Sequence, residues 1–319
     1  MSVFKKIFAL ILLLNFNAYA DDLPTAHARD LLILSQWFEG EFDNEEQVWF
    51  QSDDRSNTPL NLRKTRLHVS NLKISIPLLG ENIFLIKEYL ENNPDNVLSK
   101  SIATIFIDEN INQIVMKKAR FNPLEPDDLI ILNFKSFQNK NVCEIHWKVI
   151  ASQFHGLVIN DSCQHEEKRF LKNYFKKIII SEDKLWIYKR PPNKSDKGVI
   201  PIKLRKSKVF LCEASIISSK HNYKLIENKR VLSQGGEVWF NHPENSKKFG
   251  IRIRDKEYPF YNIRPDFIFL AIREYGKDFS IGYSIHDVNS RRIGINLGWI
   301  SAHCHREGYN FREAFPSKF

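Results

Sequence analysis

Glu88 stands in the stretch Phe84-Leu85-Ile86-Lys87-Glu88-Tyr89, where a carboxylate among apolar neighbours could hold a cationic or N–H-bearing ligand. Strand parity decides which way it points. If Ile86, Glu88 and Leu90 share one face, then Leu85, Lys87 and Tyr89 lie on the other. Lys87 is the most costly of these to bury, so the parity that turns Glu88 inward is the cheaper one. A carboxylate in such an interior needs a cation, and Arg66, Lys100 and Lys117 from nearby strands are the candidates. On the opposite reading Glu88 faces outward and pairs with Lys87 or another surface neighbour.

Four cysteines, Cys143, Cys163, Cys212 and Cys304, supply the next chemistry. In an exported protein they read as two disulfides, with three pairings open and free buried thiols as the alternative. A hairpin turning near His155-Gly156 favours Cys143–Cys163, which leaves Cys212–Cys304. His303 and His305 would share a strand face with Cys304 pointing away, and no third ligand stands at a characteristic spacing. The pair reads as solvated, and no metal is expected. The chain contains no G-x-S-x-G, no phosphate-binding glycine loop, no CxxC and no HExxH, so no nucleophilic triad suggests itself.

The elements that must position these groups begin after a leader. Lys5 and Lys6, the apolar residues 7–14 and Ala18-Tyr19-Ala20 read as a signal peptide cleaved after Ala20, with an uncleaved anchor as the alternative. The expected location is outside the cytoplasm, periplasmic or secreted, and no later stretch is apolar and long enough for an integral membrane span. The formal net charge is +9. Its densest run, 184–208, contains two adjacent prolines and reads as a solvated linker rather than a nucleic-acid site. A basic surface would still suit anionic partners such as lipids or a carboxylate-bearing ligand.

Residues 26–38 follow Thr25 with a helical apolar period and stop at Gly40. The period then changes to two. Strands are expected at 67–69, 72–76, 83–90, 102–107, 111–121, 129–137, 143–149, 170–180 and 185–188. Such a series is all-β and mainly antiparallel, and alternation alone fits a barrel or a sandwich equally. The expected organisation is a β-rich domain over 21–190, a basic linker over 191–208 and a second β-rich domain over 209–319.

One segment reads Trp37, Gly40, Phe42, Asn44 and Gln47 in the spacing W-x-x-G-x-F-x-N-x-x-Q. Another runs from Cys143, with Trp147 four residues on, through Phe154-His155-Gly156 to Cys163. Together, over roughly residues 28–190, they resemble the CpcT/CpeT family of phycobiliprotein chromophore lyases. The resemblance implies a lipocalin-like (calycin) β-barrel with a helix at one end. It also implies an open-chain tetrapyrrole (bilin) or similar hydrophobic ligand, and assisted thioether formation on an acceptor protein's cysteine, with no other cofactor. The family's Y-x-E-Q strand reads Ile86-Lys87-Glu88-Tyr89 here, and its Y-R-x-R strand reads Ser99-Lys100-Ser101-Ile102, without arginine. Glu88, Asn44, Gln47, Lys100 and Arg66 are thus the implied ligand-binding set. Asn44 and Gln47 could equally satisfy backbone where helix meets strand. Trp37, Phe42, Trp147 and Phe154 read as packing residues. Three functions follow as expectations: a lyase-like enzyme, an exported carrier without the transfer step, or an envelope interaction protein working through its second domain.

Overall fold

The computed structural model describes residues 25–53, 56–76, 80–90, 96–122, 124–128, 142–159, 174–190, 200–217, 222–244, 246–256 and 266–308. The leader, the expected strand at 129–137, Cys163 and residues 191–199 of the expected linker lie outside them.

Helix α1 (Ala26–Phe38) begins where the Thr25 hydroxyl accepts a hydrogen bond from the Ala28 amide, occupying a donor that the first turn cannot pair. Strand β1 (Gly40–Asp43) follows, then helix α2 (Glu45–Ser52) and a short 3-10 turn, Leu60–Leu62. Nine further strands complete the first unit: β2 (Leu67–Ile74), β3 (Ile83–Leu90), β4 (Val97–Asp108), β5 (Gln113–Phe121), β6 (Cys143–Ile150), β7 (Gln153–Val158), β8 (Tyr174–Ile180), β9 (Lys184–Arg190) and β10 (Ile202–Ser207). Each pairs antiparallel with the next, and β1 joins β2 to β10, so the ten strands close into a barrel.

The barrel therefore runs past residue 190. The second half of the basic run, expected to be linker, is the strand that shuts it. Leu204 is buried in the barrel core while Lys203 lies over the Trp186 ring and Arg205 pairs with Glu46. The alternating bases hide a short apolar period. Helix α2 is likewise absent from the sequence-based expectation, because its polar run Glu45-Glu46-Gln47 shows no apolar stripe.

The second unit holds β11 (Val209–Ile217), β12 (Asn222–Leu232), β13 (Gln234–Asn241), β14 (Lys248–Lys256), β15 (Phe267–Glu274), β16 (Ser280–Asp287), β17 (Arg292–Asn296) and β18 (Ile300–Arg306). They form two four-stranded sheets, β12-β11-β18-β17 and β13-β14-β15-β16. Phe210 and Ile293 from one sheet and Ile251 and Leu270 from the other meet in a single core, as in a β-sandwich. Cys212 and Cys304 stand opposite each other on β11 and β18 and are disulfide-bonded. Closing a loop of 92 residues corresponds to about 4–5 kcal/mol of lost unfolded-state entropy. Cys143 is also disulfide-bonded, and its expected partner falls outside the described residues.

Charged groups tie the two units together. Asp43, just after the buried Phe42, takes the Arg66 guanidinium through both oxygens, and Arg66 also donates to the Gln234 carbonyl. Glu45 receives Arg252 and Arg254 from β14. It can approach because Gly235, at φ +74, offers no Cβ to obstruct it. Lys208 pairs with the buried Asp255 at 3.0 Å.

Candidate functional site in the barrel interior

Strand alternation places two kinds of residue inside the barrel. At the end where α1 lies, Leu34 and Phe38 of the helix pack with Phe84, Ala103, Ile105, Met116, Phe154 and Ile180. The helix is anchored through its last carbonyls. Lys206 donates to those of Gln36 and Trp37, and the Asn71 amide donates to that of Phe38. Trp37 meets Phe154 edge-on, with ring centroids 5.5 Å apart. Trp147 lies across Gly156, where any Cβ would fall within 3.1 Å of the indole ring. This end is filled.

Towards the other end the same strand faces turn polar. Phe84 and Ile86 of β3 are in the core, and Glu88 continues their face. Ala103 of β4 is followed back along the strand by Ser101 and Ser99, both buried. Ile114 and Met116 of β5 lead to Lys118 and Arg120, and Leu185 and Ile187 of β9 lead to Lys189. Register brings these groups together, because Glu88 stands opposite Ser99 and Ser101 opposite Arg120.

The Glu88 carboxylate is only 14% exposed and lies 3.9 Å from the Lys189 ammonium. Burial pushes its titration up, but Lys189, Lys118 and Arg120, together with a hydrogen bond from Ser99, more than offset this and hold it below the usual glutamate range. Lys64 is depressed by burial and then by repulsion from Lys189. Three cations thus act on the Glu88 carboxylate.

The interior also holds polar atoms without partners. Ser101 Oγ, Trp147 Nε1 and Asn71 Oδ1 are buried and make no hydrogen bond. Each such atom costs on the order of 1–3 kcal/mol in a dry interior. A ligand with acceptors and donors along an apolar body would recover that energy.

The sequence-derived set divides. Glu88 is inside. Its expected cations are elsewhere, which corrects the expectation: the nearest partner is Lys189. Arg66 is committed to Asp43. Lys100 lies on the outer face with Lys87, and both pair with Asp127. Lys117, also outside, covers the Phe106 ring. Asn44, fully buried at the start of α2, donates to the Thr65 carbonyl and accepts from the Leu67 amide. Gln47 donates to the Pro201 carbonyl and accepts from the Lys203 amide, pinning the start of β10. Both amides thus use their oxygen and one N–H on backbone.

Lys118, Arg120, Lys189, Ser101 and the Trp147 indole escape the sequence reading. In β5 both phases are apolar, because the outer face of β3, β4 and β5 buries Ile83, Leu85, Ile102, Ala119 and Phe121 in a second cluster. Alternation therefore could not tell Lys117 from Lys118. Phase from the clean period of β6, carried across the β5–β6 register, would have distinguished them.

His303 meets Glu213 at 3.2 Å while Cys304 turns into the core. No helix among the described residues is long and apolar enough to cross a membrane. A scan of protein-family models gives no match, and a search of curated proteins finds none similar to this chain.

Proposed function

We propose that this protein is a lipocalin-like carrier whose barrel holds a small, elongated, apolar ligand bearing at least one carboxylate. A bilin-type open-chain tetrapyrrole is the ligand class that fits best. The observation that carries this reading is the gathering of Lys118, Arg120 and Lys189 around one carboxylate within an otherwise apolar barrel. Lys118, Arg120 and Lys189 make this end of the interior electropositive. A ligand carboxylate would be drawn to it, and Arg120 could grip that carboxylate through two parallel hydrogen bonds. Glu88 and Ser101 would then serve the N–H and carbonyl groups along the ligand. The disulfides suit an oxidising compartment, in keeping with an exported carrier.

A chromophore-lyase activity is the second reading, and one observation favours it: Arg120, across from Ser101 on the adjacent strand, offers the interior a guanidinium that β4 lacks. In such a reaction the protein orients the chromophore and excludes water, and the attacking thiol belongs to the acceptor.

Absorbance tests the carrier reading. Biliverdin added to the purified protein should acquire a red-shifted, sharpened long-wavelength band that saturates at one equivalent. The Arg120→Ala variant should need at least tenfold more ligand for the same change. A titration without spectral change, in protein shown to be folded, would refute the reading.

A further inference from the structure

β16 is unlike the sheet edges at β13 and β17. The barrel has none, β13 lies against α2 and β10, and the edge of β17 is occupied at Gly294, whose amide and carbonyl meet the His286 imidazole and the Ser284 hydroxyl. Among the described residues β16 pairs with β15 on one side only. Between Ser280 and His286 it carries no carboxylate, lysine or arginine. Natural edge strands are commonly blunted by such charges or by proline. Its outward residues are instead large and apolar: Phe279 just before it is 66% exposed, Ile281 39%, Tyr283 61% and Ile285 58%. The Tyr283 ring is stacked on Phe269 of β15 at 5.0 Å, so the patch is held in place rather than loose.

The order of these residues identifies the occupant. Ile281 and Ile285 flank Tyr283 symmetrically, as Gly282 and Ser284 do on the inner side. We infer that β16 pairs antiparallel with β16 of a second copy of this chain about a two-fold axis at Tyr283. The two sheets then join into one of eight strands. This register sets Ile281 against Ile285 of the partner subunit and Tyr283 against the partner subunit's Tyr283, all on one face. Asp287 falls opposite Phe279 of the partner subunit, so no like charges oppose each other. Such an isologous interface satisfies the backbone groups of both edges and sets the two apolar rows side by side as cross-strand pairs.

Sedimentation velocity of the full-length mature protein tests the association. A monomer–dimer equilibrium should appear as concentration rises through the micromolar range. Tyr283→Lys and Ile281→Lys should each weaken it at least tenfold, while Leu72→Lys, at an exposed apolar site on the barrel, should leave it unchanged. A concentration-independent monomer, or a dimer indifferent to both lysines, would overturn the inference. The register is tested by cysteine variants, because residues facing each other across antiparallel strands lie within disulfide reach. Tyr283→Cys should cross-link to a covalent dimer with the native bonds intact, and Ile281→Cys should not. Equal cross-linking of the two would exclude the two-fold at Tyr283.

Discussion

The two ends of the barrel interior are built from the same strands and serve opposite purposes. At the helical end β3, β4, β5 and β9 contribute Phe84, Ala103, Met116 and Leu185, and α1 seals them with Leu34 and Phe38. A few residues along, the same faces contribute Glu88, Ser99, Lys118, Arg120 and Lys189. The first set is a packed apolar core. The second gathers charge on the same faces, and on the proposed reading it is the end that meets the ligand.

The largest effect should come from the helical end. Phe84→Ala removes a fully buried ring and should cost about 3–5 kcal/mol in urea unfolding. The folded fraction should keep its ligand affinity. If affinity fell with stability intact, the division between the ends would be wrong.

Arg120→Ala should do the reverse. It removes one of the cations around Glu88 and should weaken binding of a carboxylate ligand by about 1.5–3 kcal/mol. Its unfolding midpoint should fall by far less than that of Phe84→Ala, because Lys189 and Lys118 still face Glu88. A strongly destabilised variant would make Arg120 structural.

The strands were largely legible because β6 alternates cleanly and β3 is an Ile/Phe/Leu-rich run that spans 83–90 as expected. The closed topology was not, since alternation is the same in a barrel and a sandwich, and this chain contains both arrangements. β10 was hidden by Lys203, Arg205 and Lys206, whose charges masked Ile202 and Leu204. At the site, the inward turn of Glu88 followed from the cost of burying Lys87. Its cationic partners did not, because a second apolar cluster outside β5 erased the phase. Asn44 and Gln47 were visible as a motif, but only coordinates reveal that they hold Thr65, Leu67, Pro201 and Lys203.

Glu88→Gln sharpens the comparison through pH. The folded carboxyl titrates below its ordinary value of 4.5, so its contribution is full above that value and lost as pH falls through the folded one. The variant should be less stable than the native protein at neutral pH by about 1 kcal/mol, and the gap should close in acid. A gap that widened on acidification would mean that burial, not the surrounding cations, governs Glu88.

The smallest effect belongs outside the barrel, at His68. Burial lowers its titration, but the Asp43 carboxylate at 3.5 Å and the hydrogen-bonded Glu41 outweigh this and raise it above 6.5. Glu41 responds in the opposite sense: burial raises it, and His68 brings it below 4.5. The pair should stabilise the fold between those two ordinary values and weaken as pH rises through the folded histidine value. Thermal unfolding of His68→Gln should differ from the native protein by about 1 kcal/mol near pH 6 and by less at pH 9. A difference that grew with pH would show that the imidazole is neutral in the fold.

The most direct test of the central claim compares biliverdin with its dimethyl ester in parallel absorbance titrations of the mature protein. The two ligands share one chromophore and differ in the charge of the propionates. If the polar end recognises carboxylate, the free acid should bind at least tenfold more tightly than the ester. Arg120→Ala should weaken the acid far more than the ester. Equal affinities in the native protein, or equal losses in the variant, would contradict the account.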